Sequence, residues 1–205
     1  MRVIEVYADV WCPFAHVGLR RAARRRDQLG RDDVVLRVRA WPLELVNGAP
    51  LDAAVTAERV DALRSQVAPD LFTNFDPEHF PSTSLPALAF AAAAYRRDDR
   101  TGEAVSFALR DALFEEGRDI SSPDVLFEVA AAHGLGDPTT EDSEGVLSDW
   151  RGGRERGVKG SPHFFCGSIQ AFCPSLDLFK DEEGQLHLRR NTEELEAFLA
   201  ECLEG

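Results

Sequence analysis

The chain has 205 residues, of which 44% are hydrophobic and 29% charged, and its formal net charge is −13. This composition is typical of a folded globular protein and excludes a disordered tail or a collagen-like repeat. The length favours one domain, or one domain that carries an insertion. An acidic surface repels phosphate backbones and anionic lipids, so we expect neither nucleic acid nor a membrane as a partner.

The first forty residues predict a β-α-β unit. Residues 3–6 read as an apolar strand rather than as part of a signal peptide, so the default expectation is a cytoplasmic protein. Pro13 follows a turn at a position where proline favours the first turn of a helix. We predict a helix over residues 14–29 and a second strand over residues 34–41, parallel to the first because a helix joins them.

The middle of the chain carries helix signals and no convincing strand. The predicted helices cover residues 56–68, 84–97, 102–116, 123–134 and 140–156. Strand signals return at residues 163–166, 169–172 and 185–189, and a capping box at residues 191–194 opens a last helix.

This order of elements defines an α/β protein. A β-α-β unit, a helical block and a β-β-α unit are typical of a thioredoxin fold that carries an inserted all-helical domain. We expect the first half of the fold at residues 1–48, the helical insertion with its linking helix at 49–157 and the second half at 158–205.

Cys12 has the strongest claim to chemistry. It lies between a predicted strand and a predicted helix, so unpaired backbone N–H groups and the helix dipole would face its sulfur. Such surroundings favour the thiolate and lower the pKa of a cysteine. The alternative is a buried structural cysteine, because cysteine is among the most frequently buried residues.

Four segments of the chain resemble the DsbA-like thioredoxin superfamily, in particular its cytoplasmic branch. They are residues 9–18 (DVWCPFAHVG), 41–45 (WPLEL), 112–120 (ALFEEGRDI) and 158–165 (VKGSPHFF). The resemblance implies that Cys12 is the reactive thiol and that the Ser161–Pro162 bond is cis beside it. It also implies that the Ser161 backbone binds an extended substrate, as in strand addition.

The chain departs from the dithiol members of this superfamily at one position. The motif reads Cys12-Pro13-Phe14-Ala15, so the second cysteine of Cys-x-x-Cys is missing. Kappa-class glutathione transferases and hydroxychromene-carboxylate isomerases, which are related, also lack the pair and use a bound thiol cofactor. The chain therefore combines a cysteine at the first position with an alanine at the fourth, as in the isomerases.

The remaining candidate residues leave alternatives open. His16 shares the helix face of Cys12, where it would stabilise a thiolate or simply cover the helix. Cys166 and Cys173 could meet in a hairpin, although in a reducing cytoplasm we expect no structural disulfide, and Cys202 looks like a core residue. A zinc site from His163, Cys166 and Cys173 is disfavoured by its spacing, so no metal is expected. The predicted site comprises the catalytic Cys12 and His16 and, for substrate binding, Trp11, Pro13, Phe14, Ser161 and Pro162.

Three functions fit these features. The first is a DsbA-like thiol–disulfide oxidoreductase that acts through one thiol and an external small thiol, such as glutathione or mycothiol, without a tightly bound cofactor. The second is an isomerase or transferase that binds glutathione or mycothiol and acts on a small aromatic substrate. The third and weakest is a non-catalytic binding module. The expected partners are a small thiol or a disulfide-containing substrate, and the chain is expected to be a monomer or a homodimer.

Overall fold

The structure, a computed structural model, describes residues 1–181, 183 and 185–204. The strands are β1 (Arg2–Ala8), β2 (Val34–Ala40), β3 (His163–Cys166), β4 (Ile169–Phe172), β5 (Leu176–Lys180) and β6 (Leu186–Arg190). The helices are α1 (Pro13–Gln28), α2 (Leu43–Asn47), α3 (Ala53–Gln66), α4 (Leu85–Arg97), α5 (Asp99–Phe114), α6 (Pro123–Ala132), α7 (Thr140–Glu155) and α8 (Thr192–Glu204), with a 3₁₀ turn at Pro77–His79. Residues 182, 184 and 205, which belong to the expected second half of the fold at residues 158–205, lie outside the described residues.

The main sheet has four strands in the order β2-β1-β3-β4. β1 and β2 are parallel, with Val6 opposite Val38, and β3 runs antiparallel to β1, with Phe164 opposite Val6. Helices α2 to α7 lie between β2 and β3 in the chain. The predicted α/β thioredoxin fold is therefore confirmed, and so is the parallel pairing of the first two strands.

Two short elements escaped the sequence analysis. Helix α2 follows Pro42 and has five residues, which is too short for a helical period to show. Strand β5 pairs antiparallel with β6 in a separate two-stranded sheet. The side chains of Leu178 and Phe179 are both largely exposed although they are neighbours, so β5 lacks the apolar–polar alternation that marks a half-buried strand.

Helix α1 separates two hydrophobic clusters. Ala15, Leu19 and Ala22 pack with the sheet residues Ile4, Val6 and Leu36 and with Phe198 of α8. On its other side, Val17 packs with residues of the helical block, such as Leu109 and Leu113 of α5. Both faces of α1 are buried by this arrangement, and the start of the helix lies at the junction of the two clusters.

Two of the four cysteines form a disulfide bond. Cys166 at the end of β3 is joined to Cys202 in α8, with 5.7 Å between their Cα atoms, whereas Cys12 and Cys173 are free. The expectation that the chain has no structural disulfide is therefore wrong. Cys202 is buried in the core, as expected, but its sulfur is bonded to Cys166. Sequence spacing gave no sign of this pair, because α8 reaches β3 only through the tertiary packing.

No helix of the described residues is long and apolar enough to cross a membrane.

Two adjacent glycines of α7 are expected to respond oppositely to substitution with alanine. A Cβ at Gly153 would lie 2.6 Å from the Trp41 ring, whereas at Gly152 the nearest atom is the Tyr7 hydroxyl at 4.0 Å. Gly153→Ala should therefore cost about 1–3 kcal/mol by overpacking. Gly152→Ala should gain roughly 0.5–1 kcal/mol from helix propensity. Urea denaturation measures both, and an equal effect at the two positions would contradict the packing described here.

Candidate active site

Cys12 caps the N-terminus of α1. Pro13 is the first residue of the helix, and the Cys12 side chain is 3% exposed. The Cys12 thiol donates a hydrogen bond of 3.3 Å to the carbonyl oxygen of Ser161, in the loop before β3. The structure thus brings Cys12 and Pro13 next to Ser161, which lies 149 positions after Cys12 in the chain.

Burial dominates the pKa of Cys12. Loss of solvent raises the pKa of this thiol above its ordinary value, although the Ser161 side chain and the backbone N–H groups of Ala15 and Phe14 lower it. The negative charge of Asp9 raises it further. The expectation that the helix start lowers the Cys12 pKa is therefore wrong for this structure, since desolvation outweighs the N–H groups.

The loop beside Cys12 is fixed by several contacts. The Ser161–Pro162 peptide bond is cis. The backbone N–H of Asp9 donates to the Ser161 hydroxyl at 3.0 Å, and the N–H of Cys173 donates to the Pro162 carbonyl at 3.0 Å. Gly18 of α1 allows the close approach, because a Cβ there would lie 3.2 Å from Pro162 Cγ.

His16 lies on the helical-block side of α1. Its fully buried ring packs on Phe72 and Phe114, and its Nε2 shares a hydrogen bond of 2.7 Å with Glu115. Burial lowers the pKa of His16, so the ring is neutral near pH 7. The His16 backbone N–H donates to the Cys12 carbonyl at 3.1 Å, but in the described part of the chain no hydrogen bond joins the His16 ring to the Cys12 thiol. The role for His16 that these contacts support is to anchor α1 to the helical block, in place of the predicted action on the thiol.

Trp11 is also a structural residue. Its side chain is fully buried, stacks on Phe80 at 5.6 Å and donates from Nε1 to Asp9 Oδ2 at 2.7 Å. A ring with no exposed surface does not reach a substrate, so the expected contact between Trp11 and substrate is corrected to a packing role. Pro13 and Pro162 are buried as well, whereas Ser161 and Phe14 are partly exposed.

Phe14 lies between Cys12 and a large groove, which it helps to line. The groove has a volume of about 1140 Å³ and runs between α3 and the β5–β6 sheet. Val55, Leu178 and Phe179 line it, and all three are among the exposed large hydrophobic residues of the chain. Charged residues such as Arg59 also line the groove, and Phe14, two positions after Cys12, is its link to the thiol. A groove with a mixed lining of this kind is able to hold a substrate.

Sequence analysis missed three charged residues near Cys12. Asp9 is fully buried, and burial raises its pKa to about 6. Arg110 of α5 is 1% exposed, and Glu115 accepts hydrogen bonds from the backbone N–H groups of Phe72 and Thr73. Ser106 and Arg110 are four residues apart on the buried face of α5. A polar pair at this helical spacing among apolar residues is the sequence pattern that indicates a buried polar contact here.

The zinc site considered above is not formed. The sulfur of Cys166 is bonded to Cys202, so it is not free to bind a metal. Among the residues that the structure describes, no group of three or more His, Cys, Asp or Glu side chains is arranged to hold a metal ion.

The fold and the site together define a class of protein. A four-stranded β2-β1-β3-β4 sheet, a cysteine at the start of the helix after β1 and a proline loop opposite that cysteine are the features of a thioredoxin-fold thiol protein. The profile of the DSBA-like thioredoxin domain family matches residues 3–182. The chain belongs to this family.

Solved structures with the same fold have several described activities. A candidate protein disulfide isomerase from Nitrosomonas europaea is 16% identical, with 99% of this chain and 98% of that chain covered at a TM-score of 0.67. A 2-hydroxychromene-2-carboxylate isomerase is 16% identical, with 83% and 88% covered at a TM-score of 0.63. The cytosolic disulfide reductase DsbM from Pseudomonas aeruginosa, solved with glutathione, is 20% identical, with 99% and 100% covered at a TM-score of 0.59. A search of curated protein sequences finds no significant match to the chain.

Proposed function

We propose that the chain is a thiol–disulfide oxidoreductase that acts through Cys12 alone and is recycled by an external small thiol. The observation that carries this proposal is the position of the free Cys12 thiol, at the N-terminus of α1 and 3.3 Å from the Ser161 carbonyl. In that position a disulfide sulfur that approaches Cys12 also meets the loop that carries Ser161.

The arrangement of the other cysteines supports a monothiol route. Ala15 occupies the place of a second thiol in the motif, and Cys166 and Cys202 are bonded to each other. Cys173 is free but buried, and burial together with the charge of Cys12 raises its pKa to about 12. Burial disfavours the thiolate of both free cysteines, but at Cys12 the backbone N–H groups of Ala15 and Phe14 offset part of this effect.

The reaction has two exchange steps. The Cys12 thiolate attacks a disulfide R–S–S–R′, forms the mixed disulfide Cys12–S–S–R and releases R′–S⁻. A small thiolate G–S⁻ then attacks the sulfur of R, which releases the Cys12 thiolate and gives R–S–S–G. One cycle therefore exchanges one disulfide for another: R′ leaves as a thiolate, the external thiol ends in R–S–S–G and the protein is unchanged. A second G–S⁻ that attacks R–S–S–G releases R–S⁻ and gives G–S–S–G, which completes the two-electron reduction of the substrate disulfide.

Glutathione and mycothiol are the small thiols we propose. The solved DsbM structure with glutathione, which shares the fold, supports the first of these. The same protein is described as a cytosolic reductase, which supports a cytoplasmic location as part of the proposal, whereas the Cys166–Cys202 disulfide favours an oxidising compartment. The groove that begins at Phe14 is the surface we assign to the substrate.

A second candidate function is a thiol-cofactor-dependent isomerase or transferase. Ala15 and the partly apolar groove favour it, as does the fold shared with a 2-hydroxychromene-2-carboxylate isomerase. In that case the helix start would stabilise the thiolate of a bound cofactor. Cys12 itself would then be dispensable, and this separates the two functions experimentally.

Intact-protein mass spectrometry after exposure to oxidised glutathione or oxidised mycothiol tests the proposal. The reduced wild type should gain one small-thiol adduct, which maps to Cys12 and disappears on addition of the reduced thiol. Cys12→Ser should gain none, and the matched control Cys173→Ser should behave as the wild type. An adduct on Cys12→Ser of equal yield, or none on the wild type, would overturn the proposal.

A further inference from the structure

Arg110 is a fully buried cation without a side-chain counter-ion. It is 1% exposed, and its Nη1 donates to the carbonyl and the hydroxyl of Ser106 at 2.9 and 2.7 Å. Its Nη2 donates to the backbone carbonyl of Asp9 at 3.2 Å, and its Nε has no hydrogen-bond partner. In the described part of the chain, no carboxylate forms an ion pair with Arg110. Such a burial is costly unless a negative charge compensates it.

A single oxygen atom connects this cation to the reactive cysteine. The carbonyl oxygen of Asp9 accepts hydrogen bonds both from Arg110 Nη2, at 3.2 Å, and from the backbone N–H of Cys12, at 3.3 Å. The Arg110 guanidinium and the Cys12 backbone N–H therefore meet at the oxygen of one peptide group. Water is excluded from both side chains, so a charge on either acts on the other with little screening.

Few other charges face Arg110. Asp9 from the loop after β1, Tyr95 from α4 and Asp111 from α5 interact with it, in addition to Cys12. Burial raises the pKa of Tyr95, which is therefore neutral, and Asp111 is paired with Arg20. With a pKa of about 6, Asp9 is ionised at neutral pH, and its carboxylate attracts Arg110 although it forms no ion pair with it. A Cys12 thiolate is thus the one further negative charge that this part of the site can supply.

We propose that Arg110 is a positioning residue whose buried guanidinium stabilises the thiolate form of Cys12. It does not touch the substrate and acts through the electrostatic field across the Asp9 peptide group. This inference rests on the proposed function, because it gives Arg110 a role in preparing the nucleophile. It accounts for the presence of an arginine on the buried face of α5, where a hydrophobic residue would pack without leaving an N–H group unpartnered.

The rate of Cys12 alkylation as a function of pH tests the inference. Iodoacetamide labelling followed by peptide mass mapping reports each free cysteine separately, so Cys173 does not interfere. Arg110→Gln should raise the pKa of Cys12 by at least about one unit, which is a tenfold loss of thiolate at a fixed pH below the pKa. Arg110→Lys should restore most of the loss, because it keeps the positive charge.

Ser106→Ala is the matched control for a structural role. It removes the hydroxyl acceptor of Arg110 but keeps the Ser106 carbonyl and the guanidinium, so the Cys12 pKa should stay within a few tenths of a unit of the wild-type value. If Arg110→Gln and Ser106→Ala shift this pKa equally, or if Arg110→Gln leaves it unchanged, the inference is overturned.

A measurement on the wild type keeps the test independent of how the variants fold. The ¹³Cζ chemical shift of Arg110 should titrate with the pKa of Cys12, and this transition should be missing in Cys12→Ser. No such transition in the wild type would refute the coupling. A different result would contradict the proposed function: the Arg110 signal would titrate with the pKa of Cys12, but Cys12 would form no mixed disulfide.

Discussion

Replacing Ala15 with cysteine is expected to turn the protein into a dithiol oxidase. Ala15 is fully buried, lies one helical turn after Cys12 and directs its backbone N–H toward the Cys12 sulfur. A second thiol there would capture the mixed disulfide within the same molecule, and neighbouring groups react with very high effective concentrations. The oxidised variant should reactivate a reduced, disulfide-dependent test enzyme without added small thiol, which the wild type should not do.

The same substitution elsewhere in α1 provides the control for this gain. Ala22 is also fully buried in α1 and lies nearly two helical turns beyond Ala15, away from Cys12. Both Ala→Cys changes add one sulfur atom and should cost about 1 kcal/mol as mild overpacking. Oxidase activity in Ala22→Cys, or in the unmodified wild type, would show that another cysteine resolves Cys12, and Cys173 is the free candidate. A folded Ala15→Cys variant with an oxidised pair but no activity would favour the isomerase or transferase function.

Glu115→Gln is expected to be the most destabilising isosteric change near the site. The Glu115 carboxylate accepts from the N–H groups of Phe72 and Thr73 at 2.9 and 3.0 Å and bonds to His16 at 2.7 Å. A glutamine has one oxygen in place of two, so its NH₂ group would oppose a backbone donor. An unsatisfied buried donor costs about 1–3 kcal/mol. Glu116→Gln, at the exposed neighbouring position, should change the free energy of unfolding little.

This cost should depend on pH in a defined direction. Burial alone would raise the pKa of Glu115, but the hydrogen bonds from His16, Phe72 and Thr73 hold it at about 2, below its ordinary value of 4.5. The carboxylate therefore stabilises the fold fully above pH 4.5, and this stability is lost as the pH falls toward 2. The difference in urea midpoint between wild type and Glu115→Gln should shrink over that window. A difference that stays constant, or grows on acidification, would contradict the hydrogen bonding described for Glu115.

The sequence patterns predict the start of α1 at Cys12, but they do not predict the buried charged residues Asp9 and Arg110 near it. The placement of Cys12 and Pro13 follows from local rules, because a strand, a turn and a proline mark the start of a helix within a few residues. The meeting of Cys12 with Ser161 was inferred through the family resemblance. These parts of the site depend on motifs whose order in the chain is visible.

The rest of the site depends on tertiary contacts that no local pattern encodes. His16 was placed on the correct helix, but the i+4 spacing from Cys12 does not say that Glu115 would hold its ring. Arg110 and Asp9 are charged residues in the interior, where composition and periodicity predict apolar ones. The Cys166–Cys202 bond likewise follows from the packing of α8 on β4, next to β3 in the sheet.

Cys12 by itself is proposed to carry thiol–disulfide exchange with an external thiol. Steady-state reduction of hydroxyethyl disulfide by glutathione, or by mycothiol, measures this exchange when wild type, Cys12→Ser and Cys173→Ser are compared. We expect a turnover that requires the added thiol, that falls to the uncatalysed rate in Cys12→Ser and that is retained in Cys173→Ser. Turnover of Cys12→Ser at the wild-type rate, or a loss of turnover in Cys173→Ser alone, would rule out the monothiol route through Cys12.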